Sequence, residues 1–168
     1  MTAPVGLEER LLSFRRAFDQ AFAVAPTATV EVYEDLLAVR VAGDPYALRV
    51  REITGLVASR KIVSLPSRRP ELLGVAGIRG SLVAVYSLAA LLGYGVESKP
   101  PAWLALPADE PIGLGFEEFE GFFRVRSRDV QAGEVVVMAN QSRRVVDIPS
   151  TLAALDVHAG AAGPPKES

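Results

Sequence analysis

The sequence contains no cysteine, which excludes disulfide bonds, thiolate nucleophiles and cysteine-ligated zinc or iron–sulfur centres. Its single histidine, His158, lies among small residues, so a Ser/His/Asp triad and a histidine-based metal site lack the residues they need. We therefore expect no metal ion and no cofactor. Lysine is scarce too, with 3 Lys against 15 Arg, and the net charge of −2 argues against nucleic-acid binding driven by overall charge.

A secretory signal is also missing from the N-terminal residues, which show no short basic stretch followed by a long apolar run. Residues 72–96 invite a membrane interpretation, because 25 residues are enough to span a bilayer. However, Arg79 lies inside this stretch and five glycines interrupt it, and an arginine within a lone spanning helix costs about 2.5 kcal/mol or more. We interpret the stretch as buried strands and a short helix in a cytoplasmic protein that does not insert into the membrane.

Apolar residues make up 49% of the 168 residues, which is enough for a packed interior and suggests one domain or two small ones sharing a core. Residues 1–27 form a predicted N-terminal extension, residues 28–157 a β-rich body, and residues 158–168 a flexible tail of small and polar residues.

An amphipathic helix is predicted over residues 7–24 of the extension. Apolar side chains recur there at spacings of three and four and form one stripe, and the pattern stops before Pro26. The residues of the stripe are Leu7, Leu11, Phe14, Phe18 and Phe22. We favour a helix that packs on its own domain over a helix that binds a partner.

The body contains an internal repeat. Residues 44–57 align without gaps on residues 110–123, with Pro, Leu, Glu and Gly identical at four positions. An apolar run precedes each copy, and a Leu-Ala-Ala-Leu motif follows each copy, at 88–91 and at 152–155. A twofold repeat of this size indicates two similar subdomains, each too small to be stable alone, that pack together. Short strands bounded by turn residues favour a small antiparallel barrel for each subdomain.

Strand alternation within the first copy predicts which side chains face inward. Leu48 and Val50 are expected inside the barrel, and Arg49 and Arg51 are expected outside it.

The glycine-rich segment at residues 74–80 resembles a phosphate loop only superficially. It lacks the lysine of the Walker motif, and its first glycine spacing does not fit the dinucleotide fingerprint. What remains is a glycine-punctuated turn with Arg79 at its tip. Either the turn is purely structural, or Arg79 is aimed at a carboxylate of this chain or of a partner.

Two charged clusters are candidates for chemistry. The acidic one could do acid–base work or bind a hard cation, but it lacks a calcium-loop pattern, and a solvated face is expected instead. The arginine cluster could bind phosphate or RNA, but no aromatic residues interleave with it, and a solvated strand face or protein interface is favoured. The acidic residues are Asp109, Glu110, Glu117, Glu118 and Glu120, and the arginines are Arg124, Arg126, Arg128, Arg143 and Arg144.

Residues 51–53, 62–66 and 70–88 together resemble the core of CheW, the bacterial chemotaxis coupling protein family. That family shows Val-x-Glu-Ile, then a proline, then Gly-Val-Ile-Asn-Leu-Arg-Gly-x-Val-x-Pro-Val-Ile-Asp-Leu at the same relative positions. The resemblance covers residues 36–155 and is strongest over residues 48–93. This chain departs from the pattern where Gly77, Ala84 and Ser87 replace the family's Asn, Pro and Asp.

The resemblance implies an all-β fold of two intertwined five-stranded antiparallel barrels, with the N-terminal helix as an addition. It implies a non-enzymatic adaptor with two partners, a methyl-accepting chemoreceptor tip and the regulatory domain of a CheA-type histidine kinase, which is itself CheW-like. A place at membrane-associated or polar receptor arrays is expected. The alternative hypothesis from the residues is a phosphate- or RNA-binding β module that uses the arginine cluster. A third and weaker hypothesis is an enzyme that uses the acids of residues 117–120.

Carried over by position, five residues are expected to contact the receptor or to support that surface. Glu52 and Arg79 are expected to form a salt bridge near the groove between the barrels, because a shielded pair of this kind fixes geometry even when its net energy is small. The five residues are Val50, Glu52, Ile53, Gly74 and Arg79.

Overall fold

The structure is a computed structural model that describes Arg16 and residues 30–58, 60–95, 99–130 and 135–160. The predicted helix over residues 7–24 lies outside the described residues, apart from Arg16. Residues 1–31 and 32–168 form two compact units, and the account below concerns the second. No helix in the described ranges is long and apolar enough to cross a membrane.

The described part of the chain contains eleven strands, two α-helices and two single-turn 3-10 helices. The helices are α1 (Leu88–Leu91) and α2 (Ile148–Gly160), and the 3-10 turns are Val50–Glu52 and Ser127–Asp129. The strands are β1 (Tyr33–Val41), β2 (Asp44–Arg49), β3 (Ile53–Ala58), β4 (Ile62–Val63), β5 (Leu72–Ile78), β6 (Ser81–Ser87), β7 (Trp103–Pro107), β8 (Ile112–Phe116), β9 (Glu118–Arg126), β10 (Val135–Met138) and β11 (Gln141–Val146).

The strands form two sheets that exchange hairpins between the two halves of the chain. The five-stranded sheet has the order β10-β11-β2-β1-β9, and the six-stranded sheet has the order β3-β7-β8-β6-β5-β4. Each sheet therefore contains a hairpin from one half and strands from the other, which confirms the all-β, intertwined fold. Each sheet also contains one parallel pair, β11 with β2 and β6 with β8, because these strands meet across the halves without a hairpin to set their direction.

Three hydrophobic clusters follow from this arrangement. In one cluster, Val125 of β9 and Val136 of β10 share an interior although these strands are opposite edges of the five-stranded sheet. In another, Val57 of β3 and Ile62 of β4 do the same for the six-stranded sheet. Both sheets therefore curl, which is compatible with the predicted barrels.

The largest cluster lies between the two sheets. In strand β1, residues 36–39 form a continuous apolar run, because Leu36 and Ala38 face the interior of the five-stranded sheet, whereas Leu37 and Val39 face the six-stranded sheet. A strand buried on both faces needs apolar residues at every position rather than at alternate ones. The first residues of α1 and α2 complete this cluster with Leu88 and Ile148.

The repeat found in the sequence has a structural counterpart in two β-bulges. The register of β3 on β7 passes from Ile53 to Gly55 and skips Thr54. The register of β9 on β1 passes from Phe119 to Gly121 and skips Glu120, which is the repeat equivalent of Thr54. The extra residue at a bulge has no partner on the neighbouring strand. The repeat therefore places one such residue in each sheet, Thr54 in the six-stranded sheet and Glu120 in the five-stranded sheet.

The two Leu-Ala-Ala-Leu motifs are helical in both copies. The first forms α1, and the second lies within α2. Because α2 continues to Gly160, the first three residues of the predicted tail at 158–168 belong to a helix, and the others lie outside the described residues.

Candidate partner-binding site

Arg79 occupies the tip of the hairpin between β5 and β6. Ile78 pairs with Ser81, so Arg79 and Gly80 form a two-residue turn, and both have positive φ, at 51° and 81°. This is the backbone of a type I′ turn, whose twist matches the flanking strands. Further along β5, a side chain at Gly74 would overlap the carbonyl of Val63, which explains that glycine.

The Arg79 side chain is exposed and lies over β3. Its Nη2 atom stands 3.2 Å from the position that a Cβ would take at Gly55, so the glycine leaves room for the guanidinium. None of the ion pairs among the described residues involves Arg79, and no hydrogen bond holds its side chain there. Its five N–H donors therefore remain available to an acceptor on another molecule.

Glu52 is held from three sides at the 3-10 turn that joins β2 to β3. Its side chain is only 12% exposed, with Oε1 3.4 Å from Arg49 Nη1. The Ile148 N–H at the start of α2 donates to Oε2 at 3.0 Å, and the Ala108 N–H donates to the Glu52 carbonyl at 2.9 Å. Glu52 thus ties the first copy of the repeat to the β7–β8 turn and to α2.

The predicted salt bridge between Glu52 and Arg79 is wrong. The Glu52 carboxylate turns towards Arg49 and the start of α2, whereas Arg79 lies over Gly55, three residues further along the chain. Among the described residues, the ion-pair and hydrogen-bond partners of the Glu52 carboxylate are therefore Arg49 and the Ile148 N–H, and Arg79 is not one of them.

The other predicted site residues are less exposed than Arg79. Val50 and Ile53 are half-buried and pack against the cluster between the sheets. Gly74 is buried. Of the five residues carried over from the resemblance, Arg79 is therefore the one with an exposed side chain.

Arg49 was expected to face solvent but is only 6% exposed. Its Nε atom lies 2.9 Å from Glu34 Oε1, and the same guanidinium reaches Glu52. The alternation that predicted an exposed Arg49 ends here, because β2 gives way to the 3-10 turn at Val50. The sequence offered one signal for this pairing, an acid on each side of the arginine at Glu34 and Glu52.

A groove of about 190 Å³ lies beside Glu52, between the β7–β8 turn and the first turns of α2. Its apolar floor includes Ile148 and Leu152, and its rim carries Asp109 and Glu110. Asp147 fixes the position of α2 there, because its Oδ1 accepts the Ser150 N–H at 2.8 Å. This backbone hydrogen bond lowers the pKa of Asp147 below its usual value.

An apolar face lies on the outer side of the six-stranded sheet. Val63, Val75 and Ala84 stand side by side on β4, β5 and β6, and Leu82 lies one row beyond, opposite Gly77. Leu82 is 79% exposed and Val63 is 54% exposed. Large apolar side chains grouped on a surface are typical of a protein–protein contact.

The family model of the CheW-like domain matches residues 35–147. The chain belongs to the CheW-like domain family. Among solved structures, this CheW-like chain is similar to the scaffolding protein TtCheW from Thermoanaerobacter tengcongensis, with a TM-score of 0.60 at 12% sequence identity, over 70% of this chain and 90% of that one. That likeness shows the fold. No curated protein matches the chain by sequence. Family membership supports a chemotaxis coupling adaptor, and the CheW family consists of scaffold adaptors.

Three of the five acids in the acidic cluster of this CheW-like chain, Glu117, Glu118 and Glu120, make internal contacts. Glu117 accepts the Gly43 N–H at 3.0 Å, and Glu120 lies between Arg40, at 2.8 Å, and Arg143. Burial acts to raise the pKa of Glu120, but the hydrogen bonds and charges of Arg143 and then Arg40 outweigh it, so the pKa is lowered. Among the described residues there is no group of three or more acids and histidines placed to hold a metal ion.

The five candidate arginines of the RNA-binding alternative do not share one face. Arg143 is only 4% exposed, and besides Glu120 it donates to the Val39 carbonyl at 3.3 Å and to Gln141 at 3.0 Å. Arg144 follows it on β11 and faces the other way, into solvent. Arg124 binds Asp35 at 2.7 Å on a different strand. A continuous phosphate-binding stripe is therefore not formed.

Proposed function

We propose that this CheW-like protein is a non-enzymatic adaptor that couples the tip of a methyl-accepting chemoreceptor to a CheA-type histidine kinase through protein contacts. The observation that carries the proposal is the CheW-like domain over residues 35–147. The place of action is the cytoplasmic side of membrane-associated or polar receptor arrays, where both partners meet.

The outer apolar face of the six-stranded sheet supports the kinase contact. The regulatory domain of such kinases is itself CheW-like, so a curled sheet of this chain meets a similar sheet of the kinase. Exposed Leu82 and Val63, together with neighbouring Val75 and Ala84, supply the apolar surface that the core of an interface needs.

The receptor contact is assigned to the surface around Arg79 and the groove beside Glu52. Arg79 offers an unpaired guanidinium to a carboxylate, and a bidentate pair of this kind is geometrically specific. Glu52 supports the surface indirectly, because it fixes the start of α2 and the β7–β8 turn that border the groove. Val50, Ile53 and Gly74 hold the backbone beneath it.

The test is a direct binding measurement with purified partners from the same cell. The chain is titrated separately against the regulatory domain of the kinase and against a cytoplasmic receptor fragment. Saturable binding to both is expected. Binding to neither removes the proposal, and saturable binding to RNA alone revives the alternative module, with the steep salt dependence that phosphate contacts produce.

A further inference from the structure

A second groove, of about 520 Å³, lies on the other side of α2 from the candidate receptor groove. The connection between β4 and β5 forms its rim, and the C-terminal part of α1 and the middle of α2 form its floor. No residue lines both grooves. The residues that matter here are Arg68, Arg69, Ala90, Leu91, Ala154 and Leu155.

The floor of this groove comes from the repeat. Ala90 and Leu91 end the first Leu-Ala-Ala-Leu motif, and Ala154 and Leu155 end the second, so the two helices present the same pair of apolar side chains to one opening. Leu91 and Leu155 are half-buried, which leaves part of each side chain in contact with solvent. The buried part of each side chain packs against the cluster between the sheets. An apolar floor between two helices is the geometry into which a third helix packs.

The rim of the groove is basic. Arg68 is exposed, Arg69 is half-buried, and neither side chain forms an ion pair with any residue that the structure describes. In contrast, Arg40, Arg49, Arg124 and Arg143 each bind an acid of this chain. One acid, Glu71, lies on the same rim, so the two guanidinium groups leave an excess of positive charge beside the apolar floor.

We propose that this groove binds an amphipathic helix of a partner protein whose apolar stripe packs on Leu91 and Leu155 and whose flanking carboxylates bind Arg68 and Arg69. Charge complementarity selects the partner, because an acidic flank gains two Arg–carboxylate pairs and a basic flank meets two like charges. The residues that line this groove are not among those assigned to the two contacts of the proposed function, so the proposed helix belongs to an additional partner.

The test uses two synthetic helical peptides with leucines at positions i, i+3, i+4 and i+7. One carries glutamates along the flanks of this stripe, and the other carries lysines at the same positions. Binding is measured by fluorescence anisotropy at about 0.15 M salt, where the Debye length is about 8 Å. The leucine methyl groups of the full chain are followed by NMR. We expect the glutamate peptide to bind at least about tenfold more tightly than the lysine peptide. The methyl signals of Leu91 and Leu155 should shift, and that of exposed Leu82 should not.

Charge reversal tests the role of the rim. Arg68→Glu with Arg69→Glu should reverse the preference between the peptides. Arg60→Glu with Lys61→Glu is the matched control, because this exposed basic pair carries the same charge and does not line the groove. The control should change affinity by less than about twofold, since distant exposed charges are screened. Thermal melts of both variants establish that the chain is folded.

Three results overturn the proposal. One is equal affinity for both peptides, or no saturable binding of either. Another is a preference that the Arg68/Arg69 reversal leaves unchanged. The third is binding of RNA or of anionic vesicles through these arginines while the glutamate peptide does not bind, which assigns the rim to a different class of partner.

Discussion

At the scale of single residues, Glu52 and Arg79 lie in opposite environments, so they are expected to contribute to different properties of the protein, folding stability and partner binding. Glu52 is almost buried and accepts hydrogen bonds from two elements, whereas Arg79 is exposed and bound to no described residue. A substitution at the first position should therefore weaken folding, and a substitution at the second should weaken association.

Glu52→Ala is expected to lower the free energy of unfolding by about 2–3 kcal/mol, because it leaves the Ile148 N–H and part of the Arg49 charge without a partner in a buried place. The matched control is Glu118→Ala, the equivalent residue of the second repeat copy, whose side chain is well exposed. The control should cost less than about 1 kcal/mol. Urea denaturation of both variants measures the difference. Equal losses would contradict the structural role of Glu52.

Arg79→Ala is expected to leave thermal stability nearly unchanged, because it removes no ion pair and no packing in the core. Affinity for the receptor fragment should fall by about tenfold or more, as for a charged interface residue whose partner is left unpaired. Arg124→Ala is the control, since Arg124 is exposed on another strand and its pair with Asp35 is internal. A folded Arg79→Ala protein with normal receptor affinity rules out Arg79 as a contact residue.

Sequence reasoning placed Arg79 correctly at the tip of a turn, because glycine spacing is a local signal. It did not predict the partners of Glu52, because these depend on Ile148 and on the β7–β8 turn, which are far away in the sequence. It also misplaced Arg49 and Arg143. Whether an arginine on a strand faces inward depends on an acid from another strand, here Glu34 and Glu120, which alternation alone does not reveal.

At the scale of elements, the start of α2 controls the groove beside Glu52. Asp147 caps the helix through the Ser150 N–H, so Asp147→Ala is expected to lower the free energy of unfolding by about 1 kcal/mol. Asp147→Ser retains a capping oxygen and should recover most of this loss. Denaturant titration at neutral pH measures both variants, and a larger loss for the serine variant would contradict the capping role.

The same cap predicts a dependence on pH. Because the folded pKa of Asp147 is lowered, its carboxylate contributes stability above the unfolded pKa of about 3.9, and this contribution is lost as the pH falls through the folded pKa. The stability difference between the wild type and Asp147→Ser should therefore shrink as the pH falls from about 5 to about 2. Chemical denaturation along this pH range provides the measurement. A difference that stays constant would show that the carboxylate does not act as a charged cap.

Elements with a strong local pattern were predictable, and pairings between the halves were not. The repeat predicted two similar sets of strands. The two bulges and the two Leu-Ala-Ala-Leu helices show that the copies are similar in detail. The parallel pairs of β2 with β11 and of β6 with β8 have no local signal, because no turn connects these strands. Hairpin pairing is fixed by a few residues, whereas these contacts depend on how the halves exchange strands.

At the scale of the whole molecule, the outer face of the six-stranded sheet should bind the kinase. Leu82→Asp places a charge on this face at its most exposed apolar side chain. It is expected to abolish measurable binding of the kinase regulatory domain while leaving the melting temperature within a few degrees. Val137→Asp is the control, because Val137 is exposed on the corresponding hairpin of the five-stranded sheet. Equal loss in both variants would contradict the assignment of one face to the kinase.

The claim that this chain couples receptor to kinase is tested most directly by sedimentation of receptor-containing membranes with purified kinase, in the presence and absence of the chain. The account predicts that the chain increases the kinase in the pellet, that Arg79→Ala removes this increase and that Arg124→Ala does not. Kinase sedimentation that is unchanged by the chain at any concentration, although both purified partners are folded, would contradict the adaptor function.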